Sequence, residues 1–403
     1  MEPMKYVIII PDGCADGPID ELGARTPLEV ADIPHMHRIA QTGRLGTVRT
    51  TPPDYSAGSD VCTMSLLGYD PVKYHPGRAP LEAAAMGLQL HPADWVFRCN
   101  LVTITDAVMQ DHSAGHISDQ EAHALLNTIR TALSGHADSP IQFHPGVSYR
   151  HLMTLRGHDF TGVKTTPPHD IPGQPVENFL PKGKGSELLK NLIAQSHAVL
   201  KNHEVNLTRR DLGENEATHI WLWGQGKAAN IPTFAERFGK SGAMLTAVDL
   251  LRGIANLLGW QNIAVPGITS YHDTDYGSQG RATLAAIDQY DIVCTHIEAP
   301  DEASHQADFQ TKIASLEAID EHIVRPVLQK LADYPRWRVL IMPDHATYCT
   351  NRKHQDDPVP FAITGTHVPN AVPRRFTETD ARASDLHVTK GHDLMDFFLH
   401  SGL

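Results

Sequence analysis

Residues Tyr6–Gly13 read YVIIIPDG, a short β-branched apolar run that ends on an aspartate. An uninterrupted run of this kind marks a strand buried on both faces, as in a parallel sheet covered by helices. The pattern returns twice near the other end of the chain. Asp291–Ile297 (DIVCTHI) leads into Asp301 and His305 of DEASH, and Arg338–Met342 (RVLIM) leads into Asp344 and His345 of PDH. In a parallel sheet the carboxyl ends of all strands share one edge, where ligands bind. Three distant segments are therefore expected to deliver carboxylates and imidazoles to one rim.

Further apolar runs, Thr218–Trp223 (THIWLW), Ala243–Val248 (AMLTAV) and Asn262–Val265 (NIAV), read as more strands of the same sheet. Helical patterns lie between the runs. The clearest is Thr311–Leu331, where Ile313, Leu316, Ile319, Ile323, Val327 and Leu331 recur at three- and four-residue steps. Strands alternating with helices give an α/β fold, a mostly parallel sheet sandwiched by helices. Between residues 71 and 210 the periodicity is less regular, and turn residues cluster in PHDIPGQP and LPKGKGS. This part reads as an inserted domain, so residues 1–70 and 211–403 form one discontinuous domain and 71–210 a second.

The 403 residues are 41% apolar and 20% charged, the composition of a globular protein. With 34 basic and 47 acidic residues the net charge is −13, which argues against nucleic acid as a partner. No window approaches the roughly 18 apolar residues of a membrane span, and the N-terminus lacks a secretory pattern. The five cysteines, Cys14, Cys62, Cys99, Cys294 and Cys349, are scattered without a CxxC. They read as reduced thiols, consistent with a cytoplasmic location.

The spacing of the strand-end residues suits coordination. Asp301 and His305 are four apart and share one helix face. Asp344 and His345 are adjacent and need a strand-to-loop exit to splay towards one site. His354 follows in KHQDDPVPF. Carboxylate oxygen mixed with imidazole nitrogen suits zinc or manganese better than calcium or bare magnesium. So many candidates exceed one ion, and two ions about 4 Å apart can hold both oxygens of a phosphoryl transfer. Taken singly, Asp12 also reads as a turn former in DG and Asp301 as a helix cap. The metal reading rests on the coincidence of three strand exits. Ser59 in YSAGSDVCTMSLLG falls on the first turn of a short helix, where its hydroxyl is exposed and the dipole favours an incoming phosphate. Beside a dication it becomes a competent nucleophile, although alone it reads as an ordinary N-cap.

In family order and over nearly the whole chain, the stretches MKYVIIIPDG, ELGARTPLEVADIP, AGSDVCTMSLLGYDP, GRAPLEAA, FRCNLVTI, DHSAGHIS, GVSYRH, PPHDIPGQP, IWLWGQGK, HIEAPDEASH and PDHATYCTNRKHQDDPVPF resemble the cofactor-independent phosphoglycerate mutases of archaeal type, within the alkaline phosphatase superfamily. The resemblance implies an alkaline-phosphatase-like domain with a second, inserted α/β domain. It implies two divalent ions, commonly manganese, with zinc or magnesium as alternatives. Asp12, Ser59, Asp344 and His345 match the ligands of one ion, and Asp301, His305 and His354 those of the other. Ser59 matches the serine phosphorylated during turnover.

The implied reaction interconverts 3-phosphoglycerate and 2-phosphoglycerate in glycolysis and gluconeogenesis without a 2,3-bisphosphoglycerate primer. The substrate is thus a small phosphorylated hydroxy acid. Arg98, Arg150 and Arg78 are candidates to clamp its phosphate and carboxylate, because the guanidinium fork binds such groups in pairs. His116 is a candidate phosphate donor or proton shuttle. A homoserine kinase or a metal-dependent phosphomonoesterase on the same scaffold is the alternative, although no P-loop GxxxxGK[ST] is present.

Overall fold

The computed structural model describes residues 4–134, 139–228, 230–369 and 372–400. Its strands, in chain order, begin with β1 (Lys5–Pro11) and β2 (Arg44–Val48). Then come β3 (Asp94–Thr105), β4 (Val108–Asp111), β5 (Ile141–His144), β6 (Arg150–Arg156) and β7 (His219–Lys227). The rest are β8 (Gly242–Leu245), β9 (Gln261–Asn262), β10 (Ile292–Ile297), β11 (Trp337–Ile341), β12 (Ala346–Tyr348), β13 (Lys353–Gln355), β14 (Val359–Gly365) and β15 (His387–Val388). The chain divides into two compact units, Met1–His75 with Ile231–Leu403, and Pro76–Asn230.

The first unit is built on an eight-stranded sheet in the order β15-β2-β14-β11-β1-β10-β8-β9. Its centre is parallel: β1 pairs with β10 on one side and β11 on the other. The two strands whose sequences resemble β1 are thus its immediate neighbours, and all three point their carboxyl ends the same way. Val7, Ile9, Val293, Val339 and Ile341 are buried on the helix-covered faces, as doubly covered strands require. Strand β14 runs antiparallel to both β11 and β2, which makes the sheet mixed towards that edge. No described helix is long and apolar enough to cross a membrane, and all five cysteines are free and buried.

The second unit carries five strands. β3 pairs antiparallel with β4, β6 and β7, and β6 also with β5. Helices Asp119–Ile129 and Ser186–Leu200 pack Leu125, Ile129, Leu189 and Ile193 against Phe97, Cys99, Met153 and Leu222 of this sheet. Three expectations are corrected here. The run Thr218–Trp223 is not part of the parallel sheet; its His219–Trp223 portion opens β7, paired with Val102–Arg98 of β3. The expected division at residue 210 consequently moves to 230, because β7 belongs to the second unit, and the division at 70 moves to 75. The run Asn262–Val265 contributes only the end of the two-residue β9.

The expected helix Thr311–Leu331 is three consecutive pieces, Phe309–Ile319, a π-turn Asp320–Val324, and Arg325–Leu331. The widened turn has a local consequence. Buried Asp320 accepts the backbone N–H groups of His35 and Met36 at 3.1 and 2.7 Å, satisfying the start of helix Pro34–Thr42.

Candidate metal centre and nucleophile

Each functional segment leaves the sheet from a central strand. Asp12 follows β1, and its N–H donates to the Ile297 carbonyl at 2.9 Å, so the exits of β1 and β10 stay stitched together. The turn needs Gly13: its φ is +59°, and a Cβ there would stand 2.6 Å from Thr347 Oγ1 and equally hard against the Asp301 carboxylate. After β10, helix Ala299–His305 presents Asp301 and His305 on one face. After β11, Asp344 and His345 lead into the hairpin β12–β13, whose register sets His354 opposite Thr347. The hairpin is fastened to the Asp12 loop by bridges from Cys14 and Ala15 to Ala346.

The result is one cluster. Ligand atoms of Asp301, His305 and His354 lie within 4.8 Å of one another, as do those of Asp12, Asp301 and His345, and those of Asp12, His296 and Asp344. His345 Nε2 is 3.5 Å from both Asp12 Oδ1 and Asp344 Oδ2. Ser59 opens helix Ser59–Leu66. Its hydroxyl donates to Asp12 Oδ2 at 3.2 Å and lies 3.3 Å from His345 Nε2. Thr347 sits behind, its hydroxyl donating to Asp301 Oδ1 and lying 3.1 Å from His345 Nδ1. Thr50 donates to the Asp344 carbonyl at 2.6 Å.

The donor set fits cations. Asp12 and Asp344 are fully buried, yet Asp12 Oδ1 and Asp344 Oδ2 have no hydrogen-bond partner among the described residues. Buried carboxylate oxygens without donors are costly unless an ion sits on them. His305 Nδ1 faces the Arg352 carbonyl at 3.0 Å and His354 Nδ1 the Ala57 carbonyl at 3.2 Å. Both Nδ1 atoms must therefore carry protons, and the two Nε2 atoms turn their lone pairs on each other at 3.0 Å. A proton or a metal must lie between them and Asp301; such outer hydrogen bonds are how ligating imidazoles are oriented.

The ionisation of the groups agrees. Burial raises the Asp12 carboxyl well above the usual range, and the charges of Asp344 and Asp301 raise it further. Burial works against Asp301 as well, but hydrogen bonds from His305 and His354 outweigh it and hold that carboxyl well below its ordinary value. The Asp301 hydrogen bond lifts His305 to about 9. Burial lowers His345, and it pushes His296 down to about 4, so the His296 ring is neutral at pH 7.

All seven residues selected from the strand exits and the serine turn lie in this cluster. His296, inside β10, was missed: a lone histidine in an apolar strand reads as a core residue, and nothing local marks it. Asp60, beside Ser59, is 3.1 Å from His75. The other candidates lie in the second unit. Arg98 on β3 stacks over the Trp223 ring, 4.0 Å from its centroid, and pairs with Glu82 at 2.9 Å. Arg150 and His116 are exposed and flank Tyr149, with Arg150 5.7 Å from that ring and His116 6.1 Å. Burial raises the Glu82 carboxyl, against the lowering charges of Arg98, Arg150 and Arg78.

Comparison with known proteins fixes the family. The family model of 2,3-bisphosphoglycerate-independent phosphoglycerate mutase matches residues 40–206. A mutase of that name from Methanothrix thermoacetophila is 43% identical over 393 residues, covering 97% of this chain and 98% of the relative. The chain belongs to the 2,3-bisphosphoglycerate-independent phosphoglycerate mutases. It is therefore an enzyme, an isomerase. A Methanosarcina acetivorans mutase of the same name is 44% identical over 397 residues, with 97% and 98% covered. Among solved structures, a cofactor-independent phosphoglycerate mutase from Thermoplasma acidophilum superposes with a TM-score of 0.71 at 25% identity, covering 98% of this chain and 99% of that one. A Pyrococcus horikoshii protein gives 0.81 at 27% identity, covering 99% and 97%. As the family name states, these mutases work without the bisphosphate primer.

Proposed function

We propose that this mutase interconverts 3-phosphoglycerate and 2-phosphoglycerate in the cytosol through a phosphoserine at Ser59. In this reading one divalent ion is held by Asp12, Ser59, Asp344 and His345, and another by Asp301, His305 and His354, with manganese the ion best suited to the mixed set. The observation that carries the reading is Ser59 Oγ set 3.2 Å from Asp12 and 3.3 Å from His345, beside two buried carboxylate oxygens that lack partners. When bound, the ions supply charge stabilisation on the transferring oxygens and ease loss of the serine proton.

The chain's own groups do the rest. Ser59 Oγ forms a bond to phosphorus as the bond from phosphorus to the 3-oxygen breaks, and the serine proton ends on the freed glycerate hydroxyl. The reverse step, to the 2-oxygen, restores Ser59. Helix Ser59–Leu66 has Gly58 at its N-cap and no side chain capping it. Its first N–H groups are thus left for the phosphate. Arg98 and Arg150 hold the substrate's anionic groups and His116 its phosphate or a hydroxyl proton. A coupled enolase assay on manganese-loaded protein tests the reading. Activity should be full without 2,3-bisphosphoglycerate, vanish with chelator, and return with manganese. Dependence on the bisphosphate would overturn it.

A further inference from the structure

We propose that His296 is a positioning residue of this centre, holding Asp12 by a donated hydrogen bond and not ligating an ion. The proposal rests on the two-ion reading above and adds to it a residue that the reading leaves without a role.

By distance alone His296 looks like a ligand, since its ring nitrogen groups with oxygens of Asp12 and Asp344 within 4.8 Å. The hydrogen bonds decide otherwise. His296 is buried in β10, its Nε2 2.9 Å from Asp12 Oδ2 and its Nδ1 3.1 Å from Thr246 Oγ1. Thr246 Oγ1 already accepts the Val248 N–H at 3.0 Å. The Thr246 side chain is buried, so its own O–H needs an acceptor. Among the described residues the only one within reach is His296 Nδ1. With Nδ1 accepting, the proton of the neutral ring is on Nε2 and points at Asp12. A nitrogen that carries a proton has no lone pair for a metal.

The consequence falls on Asp12. Its Oδ2 accepts from both His296 and Ser59, and its Oδ1 accepts from none. The carboxylate is thereby held with Oδ1, 3.5 Å from His345 Nε2, left as the oxygen that would bind an ion. The relay from Val248 through Thr246 and His296 to Asp12 also ties β10 and the segment after β8 to the exit of β1.

The test starts with the metal-free wild-type protein, in which side-chain 15N NMR reads the tautomer directly. The expected result is a proton on Nε2 of His296; a proton on Nδ1 overturns the proposal, whatever the metal content. The second arm is calorimetric titration with manganese chloride of wild type, His296→Gln, which places an amide donor near the Nε2 position, His296→Met, which fills the space without one, and Thr246→Val. We expect two ions at saturation in all four. Affinity for one ion should fall about 10- to 100-fold in His296→Met, as for other outer partners of ligands, partly in Thr246→Val, and only a few-fold in His296→Gln. A stoichiometry that drops by one ion in both His296 variants would make His296 a ligand and overturn the proposal. If the wild type bound no manganese the two-ion reading would fail, while the tautomer would still be decided by the first arm.

Discussion

Gly13→Ala separates backbone strain from damage to the metal centre. Gly13 sits at φ +59°, where an L side chain costs about 1–2 kcal/mol. For a unit of this size that lowers the melting temperature by roughly 2–4 °C per kcal/mol. The new methyl would also stand 2.5 Å from Asp301 Oδ1 and 2.6 Å from Thr347 Oγ1. Ordinary contact needs something on the order of 1 Å more, so Asp301 or the hairpin must move by that amount. Displacement of that size at a reacting centre costs about 100-fold in rate. Gly23→Ala is the control, because Gly23 has φ +68° with nothing within 4 Å of the added carbon. By calorimetry Gly23→Ala should lose only the backbone cost, and Gly13→Ala that cost plus the strain of the forced shift. Only Gly13→Ala should lose manganese affinity and about 100-fold in coupled-assay turnover. If Gly13→Ala turned over like Gly23→Ala, the close approach of the β1 exit to Asp301 would not matter and the reasoning would be refuted.

Other expectations follow from the same geometry. Lys312 and Asp16 form a fully buried ion pair at 2.8 Å, with Lys312 also donating to the Thr347 carbonyl. Lys312→Met should therefore cost about 3–5 kcal/mol in denaturant unfolding, and adding Asp16→Asn should cost much less than the sum of the two. Below about pH 9 the metal-free protein keeps a proton on His305, which Asp301 attracts. Manganese must displace that proton, so its apparent affinity should rise between pH 7 and 9, with proton release visible by calorimetry in buffers of different ionisation enthalpy. The same raised pKa stabilises the metal-free fold fully below about pH 6.5 and is lost as pH climbs through 9; a flat response over that range would contradict both. Arg150→Ala, at an exposed position, should abolish mutase turnover with a stability change within about 0.5 kcal/mol. Arg98→Ala should in addition destabilise by roughly 1–3 kcal/mol, because it strands Glu82. Both should retain hydrolysis of an aryl phosphate.

The centre of the fold was legible because β1, β10 and β11 are buried on both faces, and burial writes itself into sequence as unbroken β-branched runs. The clustering of the candidate side chains was legible because each of those runs leads into an acidic residue or its histidine partner. What was not legible depends on partners remote in the chain. THIWLW is as apolar in an antiparallel sheet as in a parallel one, and nothing within it names β3 as its neighbour. The π-turn at Asp320 exists to cap a helix almost 300 residues earlier in the chain, so the local period continues through it unchanged. His296 takes its meaning from Asp12 and Thr246, each on a different segment. Arg98 reads as a free clamp in sequence, whereas Glu82 and Trp223 already hold it.

The most direct test of the central claim is to quench manganese-loaded enzyme during turnover of 3-phosphoglycerate and map phosphate by peptide mass spectrometry. Phosphate should appear on Ser59 in the wild type and be absent from Ser59→Ala, which should bind substrate without turning it over. Normal turnover by Ser59→Ala, or phosphate trapped on another residue, would contradict the account.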